Sequence, residues 1–115
     1  MVDYESKKEI VYQSERTVIF RSRLSAARNM ICKKPLGSDS VQRVRHEVGI
    51  LERLSAIEGI ARLAAGHEES GLIVLEDTAG VSVADILRTR RMELDAGLDL
   101  AIAITRIVAA MHRSI

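Results

Sequence analysis

One helical segment carries a carboxylate where a core-facing residue is expected, and this conflict constrains the fold more than any other feature. Within residues 44–51, Val44, Val48 and Leu51 sit at i, i+4 and i+7, the spacing of an apolar helix stripe. Glu47 falls at i+3, inside that stripe. A carboxylate on the core side of a helix is costly unless a cation meets it there. The segment therefore predicts a helix that packs against an element carrying a cation.

Lys33 is the best candidate for that cation. It ends the apolar run at 30–33, which is typical of a strand, and Pro35 ends the strand because proline cannot donate to a ladder. The alternative for Lys33 is an edge-strand lysine that discourages aggregation. The alternative for Glu47 is a surface pair with Arg43, worth about 0.3–0.5 kcal/mol. The apolar stripe favours the inward interpretation, so we predict that Lys33 and Glu47 lie within about 4 Å of each other.

Composition limits the class of protein. The 115 residues are 47% hydrophobic but include one Phe, two Tyr and no Trp, so the core is expected to be aliphatic. With 17 basic and 16 acidic residues the net charge is +1, which argues against nucleic-acid binding driven by bulk charge. The N-terminal residues lack the apolar segment of a signal peptide, and no run approaches the ~20 apolar residues of a membrane helix. A cytoplasmic location without a membrane segment is expected.

Strand and helix patterns follow one another along the chain. We predict strands over residues 9–12, 17–23, 30–33, 60–66 and 72–76, and helices over 41–55, 83–90 and 94–112. Either Asp39 or Ser40 is placed to cap the first helix. This order predicts an α+β fold with an antiparallel sheet of about five strands and one packed helix, followed by two helices. The two units are expected at residues 1–80 and 81–115.

The last predicted helix is apolar around most of its circumference. Its apolar or small positions are Leu98, Ala101, Ile102, Ile104, Thr105, Val108, Ala109 and Met111. A helix of this kind belongs inside a larger assembly. We therefore expect a homo-oligomer that forms through the residues from Val83 onward.

Taken in order, these segments resemble the first part of a protein-kinase domain. Residues 30–33 stand where that family has its Val-Ala-Ile-Lys strand, and Glu47 stands where it has the glutamate of helix C. Residues 72–77 look like the fifth strand running into the hinge, and 80–83 like the start of the following helix. Residues 110–115 are similar to the end of helix E. The resemblance spans residues 9 to 115 and implies an N-lobe followed by the start of a C-lobe.

The subgroup that the chain resembles is the serine/threonine-kinase-like domain at the front of large bacterial hybrid sensor histidine kinases. The resemblance implies a signalling role, ATP as the ligand, and a protein substrate or a partner signalling domain. Lys33 and Glu47 would be the catalytic pair, with Lys33 holding the α- and β-phosphates. The catalytic loop and the Mg²⁺-binding residues of the family come after the part that matches this chain. Residues 1–115 alone are therefore expected to be inactive.

The resemblance also implies a nucleotide site, with two departures from the family pattern. The cofactor-binding positions would be Ser14, Thr17, Ile19, Ile31, Lys33, Leu75, Glu76 and Thr78. When Ile19 is aligned with the valine of the glycine-rich loop, Tyr12, Ser14 and Thr17 occupy the glycine positions, where side chains restrict backbone approach to phosphate. Ile31 replaces the small alanine on which adenine stacks and would narrow that slot. An ordinary strand end remains the alternative for the segment at 75–78.

Two other classes of function remain open. The loop without glycines favours a non-catalytic pseudokinase module that relays a signal by protein contact. A small unrelated α+β interaction domain is the third possibility. Cys32 alternates away from Ile31 and Lys33 and is predicted to be a small buried hydrophobe. His46, His67 and His112 have no metal-ligand spacing, so no metal site is predicted.

Overall fold

The fold is α+β, as the sequence predicts. The computed structural model describes residues 8–25, 28–64 and 71–114. Their order is β1 (Lys8–Gln13), β2 (Thr17–Ser25), β3 (Arg28–Pro35), α1 (Ser40–Arg53), β4 (Ile73–Glu76), α2 (Val83–Thr89) and α3 (Leu94–Ser114). The third strand ends at Pro35, as the missing N–H of proline requires. Among the described helices none is long and apolar enough to cross a membrane.

The described part of the sheet contains four strands, and each neighbouring pair is antiparallel, in the order β1-β2-β3-β4. The fifth strand predicted over 60–66 is reduced to a bridge between Leu63 and Leu75. Two backbone hydrogen bonds flank it, from Ala64 N to Val74 O at 2.9 Å and from Glu76 N to Arg62 O at 2.8 Å. Among the described residues this pairing is confined to residues 62–64, and residues 65 and 66 of the predicted strand lie outside the described residues.

The apolar core lies on one face of the sheet. Phe20, Cys32 and Val74 are cross-strand neighbours, and all three side chains are fully buried. Met30, Ala64 and Leu72 complete this cluster. Because side chains alternate between the faces of a strand, the register that aligns these residues turns Ile31 and Lys33 to the opposite face. Cys32 is a small buried hydrophobe, as predicted.

The opposite face carries α1 and a mixed row of side chains. Two cross-strand rows cross it, Ile19–Lys33–Ile73 and Arg21–Ile31–Leu75. Helix α1 contacts β3 and β4, and both Ile73 and Leu54, the residue directly after the helix, are buried. None of the fourteen residues within α1, all of them described, is itself buried. The helix therefore packs against the sheet through half-buried side chains and polar contacts, and not through a fully buried side chain of its own.

Helix α3 lies largely in the open. All of its residues are described and none is buried, and its large exposed side chains are Leu94, Leu98, Ile102, Ile104 and Val108. The helix comes close to the turn at Gly59, where an added Cβ would lie 2.5 Å from Ile107 Cδ1. The backbone at Gly59 has φ of +91°, which glycine adopts without strain. A glycine at this turn is what allows α3 to approach so closely.

Candidate functional site

Lys33 and Glu47 form an ion pair across the junction between the sheet and α1. The Lys33 Nζ donates to Glu47 Oε1 at 2.8 Å. The two side chains are 30% and 34% exposed, so the pair is partly shielded and still reachable from solvent. The predicted contact is therefore confirmed. A lysine that is paired with a carboxylate and still partly exposed keeps N–H donors that can turn to an anion.

The local alternative for Glu47 was a helical pair with Arg43. The Arg43 guanidinium instead leaves the helix and donates to the carbonyl oxygens of Arg16 and Leu36 and to the Thr17 hydroxyl. Contacts with other elements therefore determine where Arg43 points. The carboxylate of Glu47 pairs with Lys33 and not with Arg43.

The turn between β1 and β2 is closed by its own hydrogen bonds. The Ser14 N–H donates to Thr17 O at 2.8 Å, while Ser14 Oγ accepts from the backbone N–H groups of Arg16 and Thr17. The Thr17 hydroxyl accepts from Arg43 Nη2 at 3.0 Å. Both hydroxyls that were candidates for phosphate contacts are thus engaged within the protein. Their use by a ligand would require these bonds to be exchanged.

An open groove of about 670 Å³ lies along the face of the sheet that carries Ile31. Ile31, Leu75, Glu76 and Thr78 all line it, so the structure brings together four of the predicted nucleotide-site residues. Ser14, Thr17, Ile19 and Lys33 are not among its lining residues. Lys33 nevertheless shares the face of Ile31 two residues along β3, a step of about 6–7 Å. The groove and the ion pair are neighbouring parts of one surface.

Arg21 and Asp77 form a second ion pair, which was not predicted from the sequence. Arg21 Nε donates to Asp77 Oδ2 at 2.7 Å, and both residues line the groove. The Asp77 side chain is 4% exposed and that of Arg21 is 23% exposed. A signal was present in the alternation of β2, where Arg21 occupies the same face as Ile19. A cation on a face that packs against other elements calls for an acid, by the same reasoning that was applied to Glu47.

The carboxylate of Asp77 is stabilised in its charged form. Burial acts to raise its pKa, but the hydrogen bond from the Ala79 N–H and the charge and hydrogen bond of Arg21 outweigh burial, with a smaller contribution from Arg23. The net effect holds the pKa of Asp77 below its ordinary value. The same Ala79 N–H bond, at 2.8 Å, accompanies a left-handed backbone at Ala79 with φ of 59°. Asp77 therefore fixes both an arginine on β2 and the path of the chain after β4.

A second hollow of about 500 Å³ lies beside the first half of α1, lined by Asp39, Gln42, Arg43, His46 and Glu47. Its charges are mixed. In the described ranges no group of three or more His, Cys, Asp or Glu side chains is arranged to hold a metal ion. His46 and His112 are exposed, and His67 lies outside the described residues.

No family model matches the chain, and no curated protein or solved structure matches it either. The contacts around Lys33, Glu47 and the groove are therefore the basis for assigning a function.

Proposed function

We propose that this chain is the ATP-binding lobe of a serine/threonine protein-kinase-like signalling domain. The observation that carries the proposal is the 2.8 Å bond between Lys33 on a central strand and Glu47 on the helix beside it. In phosphoryl transfer the protein contributes mainly positioning and charge, and a lysine steadied by a helix glutamate is one of the recurring parts. Residues 1–80 form the nucleotide lobe in this proposal, and residues 81–115 form the helical start of a second lobe.

The groove supplies the second half of the proposed site. Ile31 and Leu75 are cross-strand neighbours that offer an apolar surface to a flat base. Glu76 and Thr78 also line the groove, and their backbone groups would meet the base, except that the Glu76 N–H already donates to Arg62 O. Lys33, further along the same face of β3, would then meet the phosphates. Lys33 and Glu47 position phosphate but do not orient an acceptor hydroxyl or hold Mg²⁺, so the proposal is for nucleotide binding and not for turnover by this chain alone.

A non-catalytic module that signals by protein contact is the second candidate. The β1–β2 turn and the strand residues beside it favour this candidate, because the Ser14 and Thr17 hydroxyls are already engaged and side chains occupy all three aligned glycine positions. Side chains there hinder the close approach of backbone N–H groups to phosphate. Nucleotide binding is therefore expected to be weak.

The test is an NMR titration of the chain with ATP, with and without Mg²⁺. We expect amide shifts at Ile31 and at residues 75–78, with a Kd on the order of 0.1–1 mM. Lys33→Met should weaken binding about tenfold, which is ~1.4 kcal/mol. Lys34→Met is the matched control, because it removes the same charge from the opposite face of β3. An absence of shifts at millimolar ATP would favour the non-catalytic module.

A further inference from the structure

Arg43 is the side chain that joins three separate parts of the chain. Its Nη1 donates to Arg16 O at 3.1 Å and to Leu36 O at 3.2 Å, and its Nη2 donates to Thr17 Oγ1 at 3.0 Å. Arg16 and Thr17 end the β1–β2 turn, and Leu36 follows the last residue of β3. A planar guanidinium with five fixed donors suits such a set of acceptors, which a lysine could not satisfy together.

Backbone and carboxylate contacts support the same junction. Leu36 N donates to Arg16 O at 2.7 Å, so the turn and the end of β3 are already held together. Asp39, at the start of α1, accepts from Arg16 Nη2 at 2.9 Å and lies 3.8 Å from Arg43 Nη1. The hydrogen bonds from Arg43 connect α1 to the β1–β2 turn and to the end of β3. The first turn of α1 is thereby fixed against the sheet.

The position of Glu47 follows from this anchor. Glu47 lies four residues after Arg43, on the same side of α1 and about 5–6 Å further along. Lys33 lies three residues before Leu36 on the facing strand. Arg43 thus fixes the turn of helix next to Glu47 against the strand end next to Lys33. Because no residue within α1 is buried, apolar packing alone gives the helix little to fix its position along the sheet.

We propose that Arg43 is a positioning residue, which holds α1 where Glu47 reaches Lys33 and couples the β1–β2 turn to that ion pair. Any ligand or partner that takes the Thr17 hydroxyl or the Arg16 carbonyl competes with Arg43 and loosens Glu47. Coupling of this kind is reciprocal, so a change at Lys33 is also felt at the turn. The importance of Arg43 for nucleotide rests on the proposed function, whereas the coupling itself does not.

Site-specific acetylation of lysines, read by mass spectrometry, tests the coupling without any nucleotide. The readout is the rate at Lys33 relative to Lys8, whose Nζ lies 5.3 Å from the centroid of the Phe20 ring on the core side of the sheet. Glu47→Gln releases Lys33 directly, and we expect the ratio to rise about three- to fivefold, as loss of a partly exposed ion pair implies. Arg43→Gln should produce a rise of similar size. Arg45→Gln, a change of the same charge at an exposed position of α1, should leave the ratio at its wild-type value.

Thr17→Val tests the contribution of the hydrogen bond between Arg43 and the β1–β2 turn. It keeps the shape of the side chain, removes the acceptor of Arg43 Nη2 and leaves the arginine in place, so we expect a smaller rise in the ratio. A general loss of structure would raise labelling at Lys8 and Lys33 together, and thermal melts of each variant identify that case. If Arg43→Gln fails to fold, the acetylation ratio in Thr17→Val is the test of the positioning role of Arg43.

The outcomes separate this inference from the proposed function. A wild-type ratio in folded Arg43→Gln, or in Thr17→Val where Arg43→Gln does not fold, would overturn the positioning role. If the acetylation ratio rises in Arg43→Gln but the wild-type amides do not respond to ATP, the coupling is supported and the nucleotide proposal is rejected. If the ratio stays at its wild-type value in Arg43→Gln and the ATP-induced shifts depend on Lys33, the coupling is rejected and nucleotide binding is supported.

Discussion

The ammonium of Lys33 and the carboxylate of Glu47 meet at 2.8 Å on the face of the sheet that points away from the Phe20–Cys32–Val74 core. The two faces of the sheet therefore have different roles. One carries the fully buried side chains of Phe20, Cys32 and Val74, whereas the other carries ion pairs and an open groove beside the buried Ile73. The polar face accepts α1 without burying any residue within that helix. Polar contacts therefore contribute to the docking of α1 on this face.

The Lys33–Glu47 pair should contribute modestly to stability. Both side chains are about one-third exposed, so a double-mutant cycle with Lys33→Met and Glu47→Gln should give a coupling of about 0.5–1 kcal/mol at low salt. Urea unfolding of the wild type, both single variants and the double variant measures it. Repeating the cycle near 1 M salt should reduce the coupling through screening. A coupling indistinguishable from zero at low salt would mean that the pair does not stabilise the fold.

The Arg21–Asp77 pair predicts a pH dependence whose sign follows from the lowered pKa of Asp77. A carboxylate with a depressed pKa in the folded state stabilises the protein above its unfolded-state value, near 3.8, and that stability is lost as pH falls through the folded pKa. Stability should therefore fall below about pH 4. In Asp77→Asn this part of the loss should be absent, and stability at neutral pH should be lower by about 1–3 kcal/mol.

Melting temperatures between pH 3 and pH 7 test this prediction. The exposed Asp95→Asn on α3 is the control, because it makes the same chemical change at a different place. If wild type and Asp77→Asn lose stability in parallel as the pH falls, the titration of Asp77 is not the cause.

Two glycines should respond to alanine in opposite directions. At Gly59 the added Cβ would lie 2.5 Å from Ile107 Cδ1, and the backbone has φ of +91°, so Gly59→Ala should destabilise by about 1–3 kcal/mol. At Gly49, inside α1, an added Cβ would have no neighbour within 4 Å. Gly49→Ala should stabilise by about 0.5–1 kcal/mol, because glycine is a poor helix residue. Denaturant midpoints measure both, and destabilisation at Gly49 would contradict the packing described for α1.

The sequence predicted the parts of the site that follow from local periodicity. Alternation in β3 placed Ile31 and Lys33 on one face and Cys32 on the other, and the helical stripe placed Glu47 inward. The Arg21–Asp77 pair could not be predicted from local periodicity, because its two residues are 56 positions apart in the sequence. They meet only through the register of β2, β3 and β4. No pattern within either segment specifies that register.

Arg43 shows where a local rule fails. The i−4 spacing offered a surface pair with Glu47 as the alternative, yet the guanidinium reaches two backbone carbonyls and a hydroxyl from other elements. Those acceptors are brought together only by the fold, so a reading of the helix alone cannot include them. The same holds for the predicted fifth strand, which has the composition of a strand but, within its described residues 60–64, pairs with β4 only over residues 62–64.

Self-association through α3 is the last prediction. Leu94, Leu98, Ile102 and Val108 recur at helical spacing and are between 41% and 77% exposed, an apolar stripe that rarely stays in contact with water in a monomer. We expect sedimentation velocity at about 100 µM to show a dimer or higher oligomer that Leu98→Glu with Ile102→Glu converts to a monomer, because two carboxylates in a helix interface are strongly unfavourable. Val41→Glu is the control, since Val41 is 62% exposed but lies on α1. If wild type sediments as a monomer at this concentration, or if Val41→Glu disrupts the oligomer as effectively as the α3 variant, the stripe is not the contact surface.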